Sequence, residues 1–164
     1  MQNSSFFIRK GTSADVSAAL TLIKELALYE KAPQEVTNTE EDMLRDGFGS
    51  NPCFDMWVAI EKDIVVGIAL TYIRYSTWKG RMLYLEDIVV TESCRGKGIG
   101  KALFIEVCKK VQQDELNGLI WQVLDWNEPA LHFYKKFNAS LDPEWVNGKL
   151  LPITIEKILR DESI

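Results

Sequence analysis

The chain has 164 residues, is 46% hydrophobic, and carries 19 Lys+Arg against 24 Asp+Glu for a net charge of −5. That length predicts one domain, 1–164, with an ordinary core, and the acidic balance argues against sequence-independent binding to nucleic acid. A single histidine, His132, and three well-separated cysteines, Cys53, Cys94 and Cys108, argue against a Cys/His zinc site and a disulfide framework. The start of the chain lacks a secretory pattern, and the apolar run Ile64 to Ile73 is too short to span a bilayer. The expectation is a cytoplasmic protein with no metal and no membrane or nucleic-acid partner.

Phe6 to Arg9 predicts a first strand. Thr12 or Ser13 can cap a helix over 14–29, where Val16, Leu20, Ile23 and Ala27 share one face. Thr39, with Asp42 three residues on, predicts the start of a second helix. Three strands follow, Phe54 to Glu61, Ile64 to Tyr75 and Met82 to Val90; Lys62-Asp63 is a tight turn, and Gly67 suggests a bulge. A helix is expected from about Gly100 to Gln113, a strand over 118–124, and a helix ending near Phe137. Asn147-Gly148 predicts a hairpin in the stretch 145–158. The fold class is α/β (α+β), with one glycine-rich strand-to-helix junction.

That junction is Arg95-Gly-Lys-Gly-Ile-Gly-Lys101. Glycines let the backbone approach a phosphate, and the first N–H groups of a helix favour an anion. The ATP-binding pattern G-x-x-x-x-G-K-[ST] fails, because Gly96 is one residue too close to Gly100-Lys101 and Ala102 replaces the hydroxyl. The dinucleotide pattern G-x-G-x-x-G fails on spacing and position.

The remaining pattern, Arg95-x-x-Gly98-x-Gly100, resembles the coenzyme A pyrophosphate loop of the GNAT acetyltransferases. The segments 85–90 (LEDIVV) and 126–134 (WNEPALHFY) are similar, in order and spacing, to the diamine/thialysine N-acetyltransferase branch of that superfamily. So are Leu22 to Ala27 with Tyr29-Glu30, and Asp46 to Gly49. Tyr75 to Arg81 and Val123 to Asn127 look most like the thialysine N-acetyltransferases; Ser76 stands where polyamine acetyltransferases usually carry Asp.

The resemblance implies a mixed, twisted sheet of about seven strands flanked by four helices, splayed between the fourth and fifth strands to admit acetyl-CoA as cosubstrate. It implies a homodimer and a small primary amine acceptor, thialysine or a lysine-like amino acid. A diamine or polyamine acceptor, a protein or peptide acceptor, and a non-catalytic acetyl-CoA-binding regulator remain as alternatives.

Acetyl transfer from a thioester needs a neutral amine, and a lysine-like amine has a pKa of about 10.4. It also needs an oxyanion donor and a proton for the leaving thiolate. By resemblance, Glu86 is the base, acting through water, and Tyr134 the acid. Ile88, Val89 and Val90 pair with the pantetheine arm. Arg95, Gly96, Lys97, Gly98, Ile99, Gly100 and Lys101 hold the pyrophosphate, and Asn127 and Tyr134 also meet the coenzyme. Tyr29, Glu30, Ser76, Trp78 and Glu86 face the amine. On an ideal strand Asp87 points to the face opposite Glu86, so the two carboxylates are not expected to cooperate.

Overall fold

A computed structural model describes residues 6–160. The chain divides into two compact units, with the division between Gln122 and Val123.

The first unit carries a five-stranded sheet in chain order: β1 (Phe6–Lys10), β2 (Asp55–Glu61), β3 (Ile64–Ser76), β4 (Gly80–Val90) and β5 (Leu119–Trp121). The first four strands are antiparallel neighbours, and β5 joins β4 in parallel. Lys62 and Asp63 both have positive φ, 52° and 61°, the conformation a two-residue hairpin turn demands. One register shift falls between Ala59 and Ile60, which leaves Val66 unmatched beside Gly67, so the bulge expected there is present.

Two helical layers cover the sheet. α1 (Val16–Tyr29) and α2 (Glu40–Phe48) bury Val16, Ala19, Leu20, Leu22 and Met43 in one cluster with Met56, Val58, Ile68, Leu70 and Val89. Each Val, Leu, Ile or Met side chain so buried contributes about 1.5–3 kcal/mol. Thr39 caps α2 as expected: its hydroxyl oxygen accepts the Asp42 N–H at 3.1 Å, and Asp42 accepts the Thr39 N–H at 3.2 Å. α3 (Ile99–Gln113) buries Ile99, Leu103, Phe104 and Val107 on the other face. It comes so close to β3 that a Cβ on Gly67 would lie 3.3 Å from Leu103 and 3.0 Å from the Val89 carbonyl, which is why that position is glycine.

The second unit holds α4 (Glu128–Lys135) and α5 (Pro152–Arg160). Asn127 caps α4, its side-chain oxygen accepting the Ala130 N–H at 3.3 Å. Phe133 meets Tyr134 and Phe137 edge to face at 5.2 Å, and Asn138 follows the helix in the left-handed region at φ 57°.

Two expectations are corrected. Among the described residues there are five strands rather than seven, with five α-helices rather than four. The hairpin through Asn147-Gly148 is absent: residues 141–151 carry no regular structure, and a helix begins at Pro152. Proline is well suited to the first turn of a helix, and an isolated two-stranded hairpin has little stability of its own.

Candidate active site

β5 pairs with β4 only at Leu83, Tyr84 and Leu85. Among the described residues, no strand pairs with β4 on that edge from Glu86 to Val90. The pairing of the fourth and fifth strands thus ends at Leu85 and Trp121, short of Ile88 to Val90.

A second register shift sits where the pairing ends. Leu70 pairs with Asp87 and Thr71 with Leu85, so Glu86 is an extra residue with no partner on β3. The bulge advances the side-chain alternation by one. Asp87, opposite Leu70, and Val89, opposite Ile68, lie on the face that α1 covers. Tyr84, opposite Tyr72, lies on that face as well. The charge of Glu86 acts on the Tyr72 phenol. The expectation that Asp87 points away from Glu86 assumed an ideal strand, and the strand is not ideal at the one place where the two carboxylates are adjacent.

These groups share one electrostatic environment. Asp87 is half-buried, and burial, then the charges of Glu86 and Glu30, push its carboxyl up to about 6. Burial also raises Glu30, at the end of α1. Tyr72 is pushed up to about 12 by burial and by the charge of Glu86. Three carboxylates gathered with two tyrosines make a negative, aromatic-walled surface suited to a cation.

The glycine junction is placed for an anion. Gly96 and Gly98 have φ of 78° and 86°, and a Cβ at either would meet open space. Gly98 precedes Ile99, the first residue of α3, so the N–H groups of Ile99, Gly100 and Lys101 lack acceptors within the helix. Arg95 donates from Nε to the Val90 carbonyl at 3.0 Å, and its guanidinium sits 5.5 Å above the Tyr29 ring. One coenzyme-side candidate is therefore packed on one amine-side candidate. Lys97 turns instead to Glu61, at 2.7 and 3.0 Å, next to the buried Cys94.

The remaining candidates are more dispersed. Ser76 caps the β3–β4 turn, its hydroxyl oxygen accepting the Trp78 and Lys79 N–H groups at 3.2 and 3.1 Å. Trp78 lies in that turn and is 83% exposed. In the second unit, Asn127 and Tyr134 are both buried. Asp87 is the residue that sequence reasoning set aside. Its signal was the pair Glu86-Asp87 itself, since two successive polar residues inside an apolar strand are what a bulge leaves behind.

The model of the acetyltransferase (GNAT) family matches residues 20–139. A thialysine N-epsilon-acetyltransferase from Bos taurus is 40% identical over 141 residues, covering 81% of this chain and 83% of the bovine one. A spermidine/spermine N(1)-acetyltransferase-like protein 1 from Homo sapiens is 35% identical over 141 residues, covering 82% of this chain and 20% of the human one. An integron cassette protein from V. cholerae shares the fold with a TM-score of 0.77 at 24% identity, covering 96% of this chain and 99% of that structure. With its split β4 edge and open glycine junction, the chain belongs to the GNAT acetyltransferase family and is an acyltransferase.

Proposed function

We propose that this protein transfers acetyl from acetyl-CoA to the terminal amine of thialysine or a similar lysine-like amino acid. The observation that carries the reading is the β4 bulge, which sets Glu86 and Asp87 at the point where the strand edge becomes free. The pantetheine arm adds to the edge at Ile88, Val89 and Val90 as a strand would, and an N–H there is the oxyanion donor. Arg95 to Lys101 take the pyrophosphate, with Asn127 on the coenzyme arm. Glu30, Tyr29, Ser76 and Trp78 receive the amine, and Asp87 adds a carboxylate to that set.

The chemistry is direct. The ammonium yields a proton through water to Glu86, and the amine attacks the thioester carbonyl. As the carbon–sulfur bond breaks, Tyr134 gives its proton to the thiolate, the proton shed by the new amide nitrogen returns through water to the tyrosinate, and Glu86 releases its own to solvent. The similarity to thialysine acetyltransferases supports the acceptor, and Ser76 supports it over a polyamine. A diamine or polyamine is the second reading, favoured by the third carboxylate, Asp87.

The protein acts as one catalytic domain over 1–164 and as a homodimer. Ile153, Ile155, Ile158 and Leu159 of α5 are exposed and supply apolar surface for a second copy. A cytoplasmic setting is supported by the three free cysteines, and no described helix is long and apolar enough to cross a membrane.

Steady-state transfer to thialysine, lysine, putrescine and spermidine tests the reading. Thialysine is expected to have the highest kcat/KM, and Glu86→Gln and Tyr134→Phe each to lower kcat. Spermidine as the best acceptor overturns the substrate. Full activity in Glu86→Gln overturns the base.

A further inference from the structure

We propose that Arg74 binds the α-carboxylate of the acceptor, so that the amine site selects a zwitterionic amino acid over a diamine of the same length. The inference rests on the reading of a lysine-like amino acid as the acceptor.

The sheet brings a cation to the face that carries the acidic groups. Side chains two residues apart on a strand share a face, so Leu70, Tyr72 and Arg74 of β3 belong together. Asp87 and Tyr84 of β4 stand opposite the first two. The neighbouring cations are placed elsewhere: Arg81, opposite Tyr75, falls on the other face, and Lys79 lies in the turn. Arg74 is exposed, and among the described residues no carboxylate pairs with it.

The guanidinium is nevertheless held. It lies 5.7 Å from the centre of the Tyr84 ring, within cation–π range. Tyr84 is itself fixed, with its ring 5.0 Å from that of Tyr72 and its hydroxyl donating to Gln122 Oε1 at 2.8 Å. Because Tyr84 stands opposite Tyr72, this contact draws the guanidinium back along the strand toward Asp87. A guanidinium over a ring keeps its N–H fork for a carboxylate, which it can meet with two parallel hydrogen bonds.

The spacing suits a lysine-like chain. Tyr84 and Asp87 face positions two residues apart on β3, so their levels differ by about 7 Å along the strand. An extended lysine-like amino acid spans about 7 Å from its terminal nitrogen to its carboxyl carbon. An ammonium at the Glu86–Asp87 bulge therefore sets the carboxylate beside Arg74. The charges of Glu86, Asp87 and Arg74 all act on the Tyr84 phenol, in keeping with two signs arranged around one ring. A diamine of that length carries a second ammonium to Arg74 and meets a like charge.

The test compares thialysine with bis(2-aminoethyl) sulfide, the diamine left when its carboxylate is removed, in wild type, Arg74→Gln and Arg74→Lys. Wild type is expected to favour thialysine in kcat/KM by at least about tenfold, the scale of a hydrogen bond between charged groups. Arg74→Gln is expected to bring the two amines within about twofold by raising KM for thialysine, while the diamine, relieved of a repulsion, does not fall. Arg74→Lys keeps the charge without the fork and should lie between. A preference that survives in Arg74→Gln, or an equal loss for both amines, overturns the role of Arg74 and leaves the amino-acid reading standing. A wild type that favours the diamine overturns that reading and the role of Arg74 with it, so the two failures are distinguishable.

Discussion

Replacing Asp87 by Asn removes a charge that the fold holds at a cost. The carboxyl is pushed up to about 6 from 3.8 by burial, Glu86 and Glu30. A raised carboxyl means that the folded protein binds more protons than the unfolded chain between those values, so stability falls as pH rises through that window. A shift of about two units at about 1.36 kcal/mol each puts the full cost near 3 kcal/mol above pH 7, most of it absent at pH 4. Between pH 5 and pH 8 the cost grows by about 1.4 kcal/mol.

Asn does not titrate. Its stability relative to wild type should therefore improve by about that amount over the same interval, whatever the packing effect of the amide. Urea unfolding of both proteins at pH 5, 6, 7 and 8 measures the difference directly. Catalysis should move the other way, with kcat/KM for the amine falling in the variant and, in wild type, falling as pH drops below about 6. A stability difference that is flat with pH would refute the reasoning, because it would mean that Asp87 is not held against its own ionisation.

Three further outcomes follow from other sites. Gly98→Ala places a Cβ in open space but at φ 86°, so it should cost about 1 kcal/mol in urea unfolding and raise KM for acetyl-CoA. Thr71 is fully buried, and its hydroxyl has no hydrogen-bond partner among the described residues; Thr71→Val should stabilise by about 1 kcal/mol, seen as a higher urea midpoint at unchanged slope. Glu61→Gln releases Lys97 and should tighten acetyl-CoA binding by no more than about fivefold, as suits an exposed pair; calorimetric titration would show weaker binding instead if Glu61 orients Lys97 toward the coenzyme.

Much of the fold was legible because the turns state their own chemistry. Lys62-Asp63 closes the β2–β3 hairpin in the conformation that its length requires, and the three strands of the meander fall within two residues of their expected ends. The start of α3 was legible for the same reason, since Gly98 stands in the left-handed position immediately before it. The failures share a different cause. Asn147-Gly148 has a strong local turn preference, but a hairpin needs strands to join, and no preference at 147–148 can supply them. The strand before α4 was read as seven residues and is three, because β5 stops where β4 bulges away.

The bulge itself was the costliest omission. An ideal alternation assigns Glu86 and Asp87 to opposite faces and leaves no surplus residue on β4. Only the cross-strand register shows that one residue is surplus.

The bulge also changes how the net charge of −5 acts on the two substrates. Three of the acidic groups, Glu30, Glu86 and Asp87, act on one another at one place, where they cannot all be ionised cheaply without a cation present. Binding an ammonium relieves that repulsion, so the ligand receives both the attraction and the relief. Near the coenzyme loop the arrangement is the reverse. Lys97 is already neutralised by Glu61, so an arriving phosphate must exchange partners with a carboxylate rather than meet an unpaired charge. The amine is therefore expected to bind with a steep dependence on pH near 6, and the coenzyme with a weak one. The two KM values measured across pH 5 to 8 should diverge on the acid side, with only the amine's rising as Asp87 takes up its proton.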